Sequence, residues 1–290
     1  MIFKHQNTKT LVTKPNGRSS DAVSPNFIYG CAGGCMTSYC YVSRFNHTTV
    51  YINDNIDQIL MSIDRWVESQ PWPKVPNQCD EKYYTIDIGC STDIALHHKH
   101  YDWQRVFTFF NNHPKLKSTF ATKYPNVFPL DKYDINPEKN RIRVSLMPQI
   151  YSEILEPKTT RIDTRIKAIK DLQTKFEVHI NFSPIIIRED SSWLFQYSRL
   201  FNKLRVQGID LPSECIFMTY SDIQAERNQH TPEGRIVNVL LYRPDIQEYK
   251  KSEYGGINLR YSKDVKPEAI LKFKTVYGQY LDVSNIRYIF

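Results

Sequence analysis

Apolar residues recur along the chain in two alternating rhythms. In residues 55–68 they fall every third or fourth position, with Ile56, Ile59, Leu60, Ile63 and Val67 on one stripe and Asp54 placed to cap the predicted helix. The same period predicts helices over residues 102–111, 162–172, 193–204 and 266–280. Between them, short runs rich in β-branched and aromatic residues predict strands over 26–29, 83–88, 118–122, 141–146, 178–187 and 215–220. Residues 237–242 and 286–290 read as further short strands.

Six strands separated by helices imply a parallel sheet, because each crossover must return the chain to the same end. The expected fold is therefore α/β, a partial (β/α)6 TIM-like barrel with a small C-terminal extension. Residues 1–20 read as an N-terminal arm holding the turn cluster Lys14-Pro15-Asn16-Gly17, residues 21–223 as the partial barrel, and 224–290 as an extension of hairpin plus helix. No internal repeat or low-complexity segment interrupts this order.

Composition narrows the class. Hydrophobic residues make up 41% and charged residues 24%, as in a soluble globular protein. No run approaches the roughly 20 apolar residues that span a bilayer, so no membrane partner is expected. Residues 1–20 lack the apolar core of a secretory signal, which points to the cytoplasm, where six cysteines read as ligands or free thiols before disulfides. The net charge of +7 and the 19 tyrosines permit a polyanionic, base-stacking partner without requiring one.

In parallel α/β folds the loops leaving the C-terminal strand ends form the active site. Cys31 follows the first predicted strand and Cys90 the second; Lys123 ends the third and Ser145 lies near the end of the fourth. The dominant motif is Gly30-Cys31-Ala32-Gly33-Gly34-Cys35-Met36-Thr37-Ser38-Tyr39-Cys40-Tyr41. Three thiols on a glycine-rich loop can wrap a compact metal centre, and three thiolates fit a [4Fe-4S] cluster with one iron left open. Structural zinc is the alternative; it wants four ligands, the fourth coming from His47, Cys79 or a more distant residue. His97, His98 and His100 read as site-lining or surface residues rather than a second metal site. Cys79 and Cys215 read as structural.

Here the sequence resembles the radical S-adenosylmethionine superfamily, and within it the spore photoproduct lyase family. Tyr39-Cys40-Tyr41 matches the family's Tyr-Cys-Tyr, and Arg44 and His47 resemble the Arg and His that follow its cysteines. The loop has three and then four residues between its cysteines, where the family has three and then two. Gly89-Cys90-Ser91-Thr92-Asp93-Ile94 resembles Ser-Cys-Thr-Ser-Asp-Ile, Ala121-Thr122-Lys123-Tyr124 resembles Val-Thr-Lys-Phe, and Arg143-Val144-Ser145 resembles Arg-Phe-Ser. The longest match runs over residues 155–204 and takes in Glu156-Pro157, Asp163, Arg165-Ile166 and Ser183-Pro184-Ile185. Arg260-Tyr261 is similar to an Arg-Tyr pair on the family's DNA-contacting hairpin. The likeness extends from about residue 27 to the end.

The resemblance implies that Cys31, Cys35 and Cys40 hold the cluster, which cleaves S-adenosylmethionine to a 5′-deoxyadenosyl radical. Lys123, Ser145 and Arg165 are candidates for the cofactor's carboxylate or ribose, which need a cation or hydrogen-bond donors. Cys90 is the expected hydrogen-atom donor, beside Ser91, with Tyr39 and Tyr41 relaying. Arg260 and Tyr261 are expected at damaged DNA, Arg260 on a phosphate and Tyr261 beside the extruded lesion. An external electron donor such as flavodoxin or ferredoxin is implied. The favoured reading is radical repair of a thymine dimer of the spore-photoproduct type (5-thyminyl-5,6-dihydrothymine). The alternatives are a radical enzyme of the same lineage with another substrate, and a non-catalytic, metal-stabilised nucleic-acid-binding protein.

Overall fold

The computed structural model describes residues 1–35, 40, 49–188, 190–251 and 257–290. The fold is mixed α/β on an eight-stranded, mostly parallel sheet. Its strand order is Ile286–Ile289, Ser213–Phe217, Glu177–Ile185, Asn140–Leu146, Leu116–Thr122, Tyr84–Asp87, Ala22–Val23, Lys14–Pro15. The chain divides into two compact units, Met1–Gly33, Tyr41–Val144 and Asp163–His179 forming one, and Gly34–Cys40, Ser145–Ile162 and Ile180–Phe290 the other.

In the first unit, Ala22–Val23, Tyr84–Asp87, Leu116–Thr122 and the start of Asn140–Leu146 run parallel, and Lys14–Pro15 pairs antiparallel at the edge. The helical stripes are buried as their period requires: Ile59, Ile63 and Val67 on Ile56–Glu68, and Val106, Phe107 and Phe110 on Trp103–Asn112. Phe107, Phe120, Phe128 and Phe176 meet edge to face or tilted, with ring centroids 5.5–6.4 Å apart. Asp102 caps its helix by accepting from the Arg105 N–H at 3.2 Å. Helix Ile56–Glu68 starts differently from the expectation: Asn55, not Asp54, is its N-cap residue, and Asp54 instead bonds His5 at 2.8 Å.

The parallel strands of this unit carry a polar face. Strand side chains alternate between faces, so Thr85 and Asp87, Lys117 and Thr119, and Arg141 and Arg143 share one side of their strands; Thr85 registers with Lys117, Asp87 with Thr119 and Thr119 with Arg141, while Arg143 lies opposite Ala121. All six are buried. A buried polar side chain is tolerated only when paired, and the pairing sorts these residues along the strands. Near the N-terminal ends, Lys117 Nζ reaches Asp80 and Glu177 at 2.7 Å each, and Arg141 Nη2 reaches the same two carboxylates at 2.8 and 2.9 Å. Near the C-terminal ends, Arg143 donates to Asp87 at 2.6 Å and to Thr119 at 3.1 Å.

One expected strand changes place. Ile28–Tyr29 does not open the parallel series; it pairs antiparallel with Thr49–Asn53, which also runs parallel to Ile2–Gln6 in a separate three-stranded sheet. The position beside Tyr84–Asp87 goes to Ala22–Val23. Alternation of apolar runs fixes that a segment is extended but not which edge it joins.

In the second unit, Ser213–Phe217 lies parallel to both Glu177–Ile185 and Ile286–Ile289. Helices Ser192–Val206 and Lys266–Gly278 pack through Phe201, Phe273 and Tyr277, with centroids 5.0–6.3 Å apart. The expected strand over 215–220 divides in two: Thr219–Ser221 leaves the main sheet and pairs antiparallel with Ile257–Tyr261, which forms a hairpin with Gln247–Lys251. The expected strand over 237–242 is helix Pro232–Leu241, opened by Pro232 and capped by Thr231 Oγ1 on the Gly234 N–H at 3.0 Å. Its β-branched residues resemble a strand, but Val237, Leu240 and Leu241 are buried at helical spacing. Among the described residues, no helix is long and apolar enough to cross a membrane.

Candidate active site

The first unit carries Cys90, Ser91 and Lys123 where strands Tyr84–Asp87 and Leu116–Thr122 end. Cys90 lies three residues past the first of these, half-buried, with its Sγ 3.9 Å from Ser91 Oγ. Burial, reinforced by the Asp87 charge, pushes its thiol up to about 12, so it stays protonated at neutral pH. Asp93, in the same loop, is buried and ties that loop to the next strand: it accepts from Thr122 Oγ1 at 2.8 Å and from the Lys123 N–H at 2.9 Å. Burial raises the Asp93 carboxyl above its usual range, and those hydrogen bonds oppose the rise.

The cysteine loop leaves its strand at Gly30, whose φ of +100° is in the left-handed region. A Cβ there would also lie 2.9 Å from the Thr49 carbonyl oxygen, so only glycine fits. Three hydrogen bonds join this loop to the one that carries Cys90. Gly30 N–H donates to the Ser91 carbonyl at 3.1 Å, Thr92 Oγ1 donates to the Gly30 carbonyl at 2.8 Å, and Ala32 N–H donates to His97 Nε2 at 3.0 Å. Cys31 is half-buried and its Sγ accepts from the Gly33 N–H at 3.3 Å.

His97 is buried rather than a surface residue; burial, followed by the nearby His100, lowers its imidazole to about 4. It is therefore neutral, and accepting at Nε2 places its proton on Nδ1. Neither His97 nor Asp93 carries a local signal of its role, since their partners lie 65 and about 30 residues away. Of the other expected cofactor residues in this unit, Lys123 is half-buried and Arg165 is fully buried in helix Ile162–Leu172. Cys79 is buried against the Arg18 carbonyl, 3.2 Å from its Sγ.

The second unit holds the rest. Cys35 and Cys40 are half-buried. Gly34 packs against Lys158 so closely that an added Cβ would lie 2.0 Å from Lys158 Cβ and 2.6 Å from its Cα. Ser145 is buried in its strand, as is Cys215. Arg260 and Tyr261 stand on hairpin strand Ile257–Tyr261. Tyr261 is buried rather than exposed, and its hydroxyl accepts from the Ile187 N–H at 2.8 Å. Arg260 is half-buried, and its Nε has no hydrogen-bond partner among the described residues. Tyr39, Tyr41, Arg44 and His47 lie outside the described residues.

A second cluster could mimic a metal site. Asp64, Glu68 and His113 bring ligand atoms within 4.8 Å of one another. The groups are already engaged, however: His113 Nδ1 accepts the Lys115 N–H at 3.1 Å, which puts the ring proton on Nε2 facing Asp64, and Lys115 Nζ bonds both Glu68 oxygens. The cysteine loop has the better donor chemistry. Thiols are soft ligands of the kind iron–sulfur clusters take, and Cys31, Cys35 and Cys40 are half-buried on a loop whose glycines at 30 and 34 leave no room for a side chain, so the residue types present fit a cluster with three protein ligands.

A mostly parallel α/β sheet, three cysteines on a glycine-rich loop and a protonated thiol past a strand end are features that a radical S-adenosylmethionine lyase requires. The family model described as spore photoproduct lyase matches residues 8–289, and the chain belongs to the spore photoproduct lyase family. Solved structures agree in fold. Spore photoproduct lyase complexed with dinucleoside spore photoproduct gives a TM-score of 0.76 at 19% identity, over 99% of this chain and 82% of that one. A cysteine-to-alanine mutant of that enzyme with the same ligand gives 0.78, and a double mutant with bound AdoMet and dinucleoside spore photoproduct gives 0.77, at the same identity and coverage. No curated protein matches the chain by sequence.

Proposed function

We propose that this chain reverses the spore photoproduct, 5-thyminyl-5,6-dihydrothymine, in DNA. The substrate is thus a spore photoproduct rather than a thymine dimer in the literal sense. The observation that carries the reading is the Cys90 thiol: half-buried, held protonated, and on the loop that is hydrogen-bonded to the Cys31 segment. Cys31, Cys35 and Cys40 hold a [4Fe-4S] cluster, and Lys123, Ser145, Arg165 and Ser91 serve S-adenosylmethionine. When bound, cluster and cofactor supply the 5′-deoxyadenosyl radical that takes a hydrogen atom from the lesion.

The chain's own part is to quench the substrate radical cleanly. Once the bond between the thymines breaks, the Cys90 S–H bond gives one hydrogen atom to the carbon radical and leaves a thiyl radical on Sγ. A thiol that had ionised would have no hydrogen atom to give, so the environment that pushes the Cys90 thiol up serves this step. Tyr39 and Tyr41 relay the hydrogen atom that restores Cys90. Half-buried Arg260 meets the DNA backbone from the hairpin, and exposed Lys250 and Lys251 add attraction for phosphates. Tyr261 supports that strand from within. An external flavodoxin or ferredoxin supplies the electron, and the enzyme works in the cytoplasm where the DNA lies. Counted without its two-residue edge strands, the main sheet has six strands, which we read as the partial barrel of this class.

The test is turnover of dinucleoside spore photoproduct by anaerobically reconstituted protein with S-adenosylmethionine and a reductant. Native protein releases the repaired dinucleoside, while Cys90→Ala consumes the lesion but accumulates radical by-products. Iron-loaded native protein that cleaves S-adenosylmethionine yet leaves the lesion untouched defeats this substrate assignment. A colourless protein carrying only zinc defeats the radical mechanism altogether.

A further inference from the structure

We propose that Thr92 and His97 are positioning residues that set the direction of the Cys31 side chain and hold it at a fixed offset from Cys90. The inference rests on the reading of Cys31 as a cluster ligand. The two peptide planes that flank Cys31 are each rigid, so the direction of its Cα–Cβ bond is settled by how those planes are held, and Sγ is then confined to that bond's few staggered rotamers. The plane before Cys31 ends in the Gly30 carbonyl, which accepts from Thr92 Oγ1; the plane after it begins with the Ala32 N–H, which donates to His97 Nε2. Both partners come from the loop that carries Cys90.

That loop is itself immobilised. Asp93 ties it to Thr122 and Lys123, and the His97 N–H donates to the Asp93 carbonyl at 3.1 Å. The His97 ring is buried and packs edge-on against Phe3, with centroids 5.7 Å apart, while Phe3 stacks on His100 at 3.9 Å. The ring therefore has little freedom to follow the cysteine loop; the loop must follow the ring. Thr92 and His97 also lie outside the thiol chemistry, so their effect is separable from ligation.

Labelling of the metal-free protein with iodoacetamide, read at each cysteine by mass spectrometry, tests this directly. Thr92→Val and His97→Leu each remove one hydrogen bond, and Cys31 labelling is expected to accelerate roughly fivefold, the population change one lost hydrogen bond produces. Thr92→Ser and His97→Gln keep a donor and an acceptor and are expected to restore the parental rate. Buried Cys79 and Cys215 remain unlabelled throughout, which a general loosening of the fold would not allow. Parental Cys31 labelling in both Thr92→Val and His97→Leu overturns the proposal; if His97→Leu fails to fold, the Thr92→Val and Thr92→Ser pair decides alone. After reconstitution, iron release to a chelator is expected to follow the same order. A parental protein that takes up no iron sinks the ligand reading while the labelling still decides the brace. Normal iron retention with unchanged labelling sinks the brace and leaves the ligand reading standing.

Discussion

The N-terminal and C-terminal ends of the polar strand face in the first unit use the same residue types to different effect. At the N-terminal ends, Lys117 and Arg141 each meet both Asp80 and Glu177, Glu177 also takes His179 at 2.7 Å, and Lys74 closes on Asp21 at 2.8 Å. At the C-terminal ends, Arg143 has Asp87 and Thr119, and half-buried Cys90 and Lys123 follow. The first end is closed electrostatically and contributes to holding the unit together. The second leaves reactive groups accessible. Parallel α/β folds place their sites at C-terminal strand ends for this reason: the loops there vary without disturbing the pairing beneath.

The contrast can be broken most sharply at Arg141. Arg141→Met leaves Asp80 and Glu177 short of a buried cation, and urea unfolding is expected to show a loss of about 3–5 kcal/mol. Arg143→Met strands Asp87 and should cost roughly 2–3 kcal/mol in the same measurement. A larger loss at Arg143 than at Arg141 would refute the division of labour between the ends.

Glu177 gives a pH-resolved version of the test. Burial pushes its carboxyl up, but the His179 hydrogen bond and the Arg141 and Lys117 charges outweigh this and hold it well below the usual carboxylate range. A depressed carboxyl stabilises the fold above the ordinary glutamate range and loses that contribution as the pH falls below it. Glu177→Gln should therefore lose about 1–3 kcal/mol at neutral pH and show a shallower fall in melting temperature between roughly pH 5 and pH 3. An acid limb as steep as the parent's would show that another group governs it. The smallest effect is expected at the open end: Cys90→Ala should change unfolding free energy by no more than about 1 kcal/mol, because the thiol is half-buried and makes only a 3.9 Å contact.

Much of this was legible from residue order. Helix Ile162–Leu172 was delimited by its apolar period alone, because Ile162, Ile166, Ile169 and Leu172 recur at a spacing that only a helix buries on one side. The reactive rim was legible because chain alternation orders strand ends: Cys90 and Lys123 follow their strands as expected. What could not be read is what depends on distant partners. Ile28–Tyr29 joined a different sheet because Thr49–Asn53, paired on its other side with Ile2–Gln6, offered it an edge. Residues 237–242 read as a strand from their short apolar run, whereas 237–241 end helix Pro232–Leu241, whose start at Thr231 and Pro232 lies outside that run. The grip of His97 on Ala32 spans 65 residues, and nothing in either neighbourhood announces it.

The unequal shielding of the six cysteines also decides how the protein ages in air. Oxidation follows thiolate character and exposure. Cys79 and Cys215 are sealed away and Cys90 is kept in its unreactive form, so oxygen damage should fall first on Cys31, Cys35 and Cys40. Material bleached by air would then keep its scaffold and its hydrogen source, and early sulfenic or disulfide lesions on the loop would be reversible by thiol treatment followed by iron and sulfide.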